Sequence, residues 1–215
     1  MRQEMQITDI YSFNELSDTA KESAREWWRD SERGCSSWSD GVINNFETIA
    51  QMLGVEFSKH DVPLVSGKTR SEPDIWFTGF WSQGDGACFE GWYSYSKGAA
   101  KAIRQYAPQD TALHSIADDL QATQCKSFYQ LHARLQKSGN YCHEYCVSID
   151  VSDGQGDLDY TDERIEGIQE PLRKLMRWLY RSLEDSYNYI MSDENVEENI
   201  IANEYEFTAD GEIYG

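Results

Sequence analysis

The segment 162–191 constrains the fold more than any other part of this chain. Ile165, Ile168, Leu172, Leu175, Met176, Leu179, Leu183 and Tyr187 recur at steps of three and four residues. That spacing places them along one side of a helix of about eight turns. An apolar stripe of this length has to be covered, so the remaining sequence must supply a sheet or further helices that pack on it. Pro171 falls inside the stripe and is expected to split or kink the helix.

The other segments supply the cover. Leu16, Ala20, Ala24, Trp27 and Trp28 give helical spacing over Ser12–Arg33, with Ser17 as N-cap and Asp18 in the first turn. Asp40–Leu53 reads as a second helix stopped by Gly54. The centre reads as strand: Val55, Phe57 and Val62, then Asp74–Trp81 and Cys88–Tyr95 as an antiparallel hairpin joined by Ser82–Gly86. Helices are expected over Lys97–Tyr106 and Gln109–Lys137, and a strand over Tyr141–Val151. Ser192 caps a last helix, and Asp210–Gly211 supplies the turn of a closing hairpin over Glu204–Tyr214. The fold class is therefore α+β: a small antiparallel sheet packed against several helices, with a long C-terminal amphipathic helix. No repeat or low-complexity linker interrupts the chain, which reads as one domain over 1–215 with an acidic region at 182–215.

Charge narrows the function. Thirty-eight Asp and Glu face nineteen Lys and Arg, a formal net charge of −19. Such a chain repels nucleic acid and anionic membrane and attracts basic protein surfaces. The excess is concentrated. After Arg181 the sequence has no Lys or Arg, yet it carries Glu184, Asp185, Asp193, Glu194, Glu197, Glu198, Glu204, Glu206, Asp210 and Glu212. The first eight of these form the expected partner-binding face. The five cysteines are an odd number, and Met1–Ile10 has no apolar core of a secretory signal. Free thiols in a reducing cytosol are expected.

Several strings invite a chemical reading. Gly79–Gly91 combines four Gly with Trp81, Gln83, Asp85 and Glu90, which can line a small ligand pocket. Asp85 and Glu90 there are a candidate acid–base pair, although turn geometry alone explains the glycines. Cys142 and Cys146, if they lie on a strand, stand about 13 Å apart and cannot share a metal. Asp150, Asp153, Asp157 and Asp159 with Gly154 and Gly156 make an acidic loop that fits no EF-hand frame. Cys35 lacks an identifiable His partner, and no nucleophile elbow or zinc-protease motif is present. No catalytic residue, metal site or cofactor is expected.

Three strings carry a resemblance: Ile10–Trp28 (IYSFNELSDTAKESAREWW), Phe80–Glu90 (FWSQGDGACFE) and Ser192–Gly211 (SDENVEENIIANEYEFTADG). Together they resemble a group of small tailed-phage and prophage proteins often catalogued as the antitoxin of a toxin–antitoxin system. The resemblance implies a phage accessory protein in the bacterial cytosol, and it carries no functional residues with it. Joined to the acidic C-terminal region, it implies a non-enzymatic inhibitor that binds a basic host, toxin or defence protein. Acids spaced along a helix can imitate a phosphate backbone. The alternative is a small enzyme or ligand-binding module centred on the Gly79–Gly91 string.

Overall fold

A computed structural model describes residues 8–33, 37–64, 67–154 and 163–214. In chain order the elements are β1 (Tyr11–Ser12), α1 (Asp18–Arg33), α2 (Asp40–Leu53), β2 (Val55–Phe57), β3 (Lys59–Pro63), β4 (Thr69–Pro73), β5 (Ile75–Phe77), β6 (Ala87–Phe89) and β7 (Gly91–Ser94). They continue as α3 (Ala99–Tyr106), α4 (Thr111–Lys126), β8 (His132–Lys137), β9 (Val147–Ser152), α5 (Glu163–Ile190), α6 (Asp193–Ala202) and β10 (Glu206–Phe207). The fold is α+β, with small antiparallel sheets, packing helices and a long helix towards the C-terminus. Among the described residues no helix is long and apolar enough to cross a membrane.

The chain divides into two compact units, one of residues 1–41 with 185–215, the other of residues 42–184. In unit one, Ser17 caps α1, its Oγ accepting from the Ala20 N–H at 3.3 Å. Phe13, Leu16, Ala20 and Ala24 pack with Val196, Ile200 and Phe207 into a buried core, flanked by Trp27, Trp28 and Tyr205. Trp27 meets Tyr205 and Phe207 edge-on, at ring-centre distances of 5.1 and 5.8 Å. β1 pairs with β10, so the first and last strands close this unit across nearly the whole sequence. The Asp210–Gly211 turn is present, with Gly211 at φ +83° and its Cα facing the Ala20 carbonyl. The hairpin expected over Glu204–Tyr214 forms as one bridge, Phe207–Ile213, with the Thr208 N–H donating to the Glu212 carbonyl at 2.9 Å and the Tyr214 N–H to the Glu206 carbonyl at 2.8 Å, while Glu206–Phe207 also pair with Tyr11–Ser12.

Unit two is built on a four-stranded antiparallel sheet in the order β2-β7-β8-β9. One face carries buried Val55, Tyr93, Ala133, Leu135, Ile149 and Val151. The expected stripe of α5 is buried at Ile168, Leu172, Leu175, Met176, Leu179 and Leu183. Pro171 neither splits nor ends α5, and its ring is buried beside Leu172. Trp178 stacks near Phe46 and donates from Nε1 to Asp110 Oδ2 at 2.7 Å.

The expected hairpin forms, but the chain changes sheets inside it. β6 pairs with β5, then β7 pairs with β2 and β8. The switch falls at Glu90–Gly91. Gly91 sits at φ +149°, and a Cβ there would lie 2.0 Å from the Glu56 carbonyl oxygen, so only glycine fits.

The first helix starts at Asp18, directly after the expected Ser17 cap, and within the segment that precedes it Tyr11–Ser12 is strand and Phe13–Glu15 a 3-10 turn. Two expected elements differ. The helix expected over Gln109–Lys137 is α4 followed by β8. Phe128 and Tyr129 take φ of 53° and 61° and turn the chain. The buried Gln124 side chain then accepts from the Leu131 N–H at 3.2 Å and donates to its carbonyl at 2.8 Å, meeting from within the helix the backbone polar groups of the residue just before the strand. The strand expected over Tyr141–Val151 begins only at Val147, since Glu144–Cys146 is a 3-10 turn closed by Cys146 N–H to His143 O at 2.8 Å.

Candidate partner-binding surface

Unit one contains eighteen Asp and Glu but five Lys and Arg, so −13 of the chain's −19 resides in it. The local folding of α6 decides which acids remain available. Ser192 Oγ accepts from the Asn195 N–H at 3.3 Å and starts the helix, with Asp193 and Glu194 in the first turn, where the dipole favours carboxylates. Val196 and Ile200 are fully buried and fix the rotation of the helix. Asp193 and Glu197 then lie on the flank next to α1. Glu194 and Glu198, one turn apart, face solvent.

The α1 arginines hold that flank. Arg25 Nη1 is 2.6 Å from Glu197 Oε1 and Nη2 is 2.5 Å from Glu22 Oε2. Arg29 binds Asp193 and, at 2.6 Å, Glu26, while its Nε donates to the Met191 carbonyl at 3.2 Å. Arg33 binds Asp30. The hydrogen bond to Glu22 raises the Arg25 pKa above its ordinary value. Burial works against the charge of Arg29, but Glu26 and Asp193 outweigh it and its pKa is raised too. These arginines, invisible as site residues in the sequence, are committed to acids already. The signal for them was the i, i+4 spacing of Arg25, Arg29 and Arg33.

Of the eight acids of the expected face, two, Asp193 and Glu197, are therefore engaged within unit one. Asp185, Glu194, Glu198, Glu204 and Glu206 are exposed and hold no ion pair among the described residues. Glu184 is half-buried and belongs to unit two. Ile201, 45% exposed, follows Glu198 by three residues and Glu194 by seven, so all three share one face of α6. An exposed apolar side chain beside two acids that hold no ion pair among the described residues is the resulting surface.

The Gly79–Gly91 string lies in unit two. Trp81 is 76% exposed and Gln83 is exposed. Asp85 Oδ2 accepts from the N–H groups of Trp81 at 3.1 Å and Ser82 at 2.7 Å, fixing its own loop. Glu90 Oε1 accepts from the Lys137 N–H at 2.9 Å and anchors the end of β8. Both carboxylates of the expected acid–base pair are thus taken up by backbone donors.

The 3-10 turn at Glu144–Cys146 replaces the extended spacing assumed for Cys142 and Cys146, and it brings their thiols near Cys88 and Lys137. Burial, with Cys142 adjacent, pushes the Cys88 thiol up to about 12. Burial also raises Cys142. Protonated thiols are poor ligands and nucleophiles. Among the described residues no group of three or more His, Cys, Asp or Glu is arranged to hold a metal ion. Asp150 is exposed on β9, and Asp153 pairs with Arg164 at 3.5 Å. Cys35, Gly156, Asp157 and Asp159 lie outside the described residues.

Residues 38–193 match the model of a family described as a domain of unknown function, DUF8835. No curated protein and no solved structure matches the chain.

Proposed function

The chain belongs to the DUF8835 family, and because that family brings no activity with it, we propose from the chain's own residues a non-enzymatic protein that captures a basic protein partner through unit one. The observation that carries this reading is the Glu194–Glu198–Ile201 face of α6, which holds no ion pair among the described residues while the neighbouring arginines are engaged elsewhere. Like charges at i, i+4 destabilise a helix by about 0.2–0.5 kcal/mol. A cationic partner relieves that repulsion. Ile201 adds an apolar contact that distinguishes a specific docking face from a merely solubilising one.

The resemblance to phage and prophage antitoxins supports the same reading. Two of its three strings, Ile10–Trp28 and Ser192–Gly211, build unit one. The partner class is a basic host, toxin or defence protein in the bacterial cytosol, and a nucleic-acid-binding surface suits a helix that imitates spaced phosphates. The protein acts by occupying that surface.

Affinity capture from bacterial lysate, compared between the native chain and a Glu194→Gln/Glu198→Gln/Ile201→Ser variant, tests the proposal. A basic protein held by the native chain and released by the variant, with circular dichroism unchanged, is the expected result. Equal capture by both rejects the α6 face.

A further inference from the structure

We infer a second, independent site in unit two: the open face of the four-stranded sheet binds a planar N–H-bearing heterocycle with an anionic substituent, the chemical class of a nucleoside 5′-monophosphate. The pairing register sets the site. Trp92 on β7, Arg134 on β8 and Asp150 on β9 stand directly opposite one another in one row. Ser94, His132 and Ser152 form the next row. All six alternate with the buried residues of the opposite face, so they project to the same side. They line a groove of about 750 Å³. Small-molecule sites commonly have volumes of about 300–1,000 Å³.

Each group supplies one part of the recognition. Trp92 is half-exposed in the middle of the sheet and makes no ring–ring contact among the described residues, so its indole face is open for stacking. Arg134 is exposed and holds no carboxylate among the described residues, although the chain has twice as many acids as bases and Asp150 stands opposite on the next strand. A guanidinium with no carboxylate partner among the described residues is a hydrogen-bond donor for an anion, and His132 on the same strand adds a ring N–H. Asp150 accepts from the ligand's N–H or O–H groups and disfavours a bare anion at its end of the row. From Trp92 to Asp150 is two strand spacings, roughly 10 Å, with Arg134 midway, so a ligand that meets all three is longer than phosphate alone.

The test uses the full chain and the 5′-monophosphates of adenosine, guanosine, cytidine and uridine, followed by calorimetry and tryptophan fluorescence. Saturable binding of at least one monophosphate is expected, with its nucleoside and inorganic phosphate each weaker by about tenfold or more. Arg134→Gln and Trp92→Ala should each weaken binding by about tenfold or more while melting like the native chain. Gln136→Ala, on the same face but outside the groove, should bind as the native chain does. Absence of saturable binding by all four up to about 10 mM, or native affinity in both variants, overturns the site. The α6 variant should bind the monophosphate unchanged, so loss of partner capture and loss of this site are separable results.

Discussion

Arg25 donates to Glu197 at 2.6 Å across 172 residues of chain. The contact ties the last helix to the first and explains why part of the C-terminal acid excess is structural. Both side chains are only partly exposed, so the pair should contribute more than a free surface bridge. A double-mutant cycle of Arg25→Gln and Glu197→Gln, read by urea unfolding, should give a coupling of about 0.5–1 kcal/mol. A coupling near zero would show that the Arg25–Glu197 pair does not help to hold α6.

Glu90 separates a structural role from a catalytic one in the glycine-rich string. Its carboxylate is an acceptor for the Lys137 N–H. Glu90→Ala should destabilise unit two by about 1–3 kcal/mol, and Glu90→Gln, which keeps an acceptor oxygen, should restore most of that. Equal stabilities for the native chain and the Ala variant would return Glu90 to the list of free acids.

The sheet switch at Gly91 makes a sharper demand. Gly91→Ala places a Cβ against the Glu56 carbonyl at a positive φ, with backbone rather than a yielding side chain in the way. A loss exceeding about 3 kcal/mol is expected, visible as a lowered melting midpoint. A near-native midpoint would mean that β2 and β7 do not pair as described.

Periodicity made much of this visible in advance. The stripe of α5, helix α2, the Ser17 and Ser192 caps, the α+β class and the aromatic hairpin were legible because each is a local pattern. The β8 strand was not: Leu131 and Leu135 are four apart and continue the spacing of Leu113, Ile116 and Leu120, so a buried strand imitates a helix face. What ends α4 is Gln124, whose partner is Leu131, and no propensity reports such a bond. The acid excess was equally plain, but its division between engaged and open carboxylates depends on how α6 is rotated against Arg25 and Arg29. The Trp92–Arg134–Asp150 row was hidden because it depends on register between distant strands.

Alkaline pH offers a test of the unit-two core. Cys88 and Tyr93 are both raised to about 12, chiefly by burial. Each is neutral when protonated, and the ordinary values are about 8.5 and 10. Above those values the unfolded chain loses protons that the folded one keeps. Stability is therefore full below about pH 8 and falls as pH rises towards 12, by at most about 1.4 kcal/mol per pH unit for each group. Urea unfolding at stepped pH should show the decline, and Cys88→Ala should flatten its lower part. A flat profile from pH 9 to 12 would contradict the burial of both groups.

The central claim rests on charge carried by open acids of unit one, and the dissociation constant of the captured partner as a function of salt measures it most directly. Between about 0.05 and 0.5 M salt the native complex should weaken by about tenfold or more, and the Glu194→Gln/Glu198→Gln variant should be weaker at low salt with a shallower dependence. Affinity that ignores salt, or a variant that follows the native curve, would contradict the account.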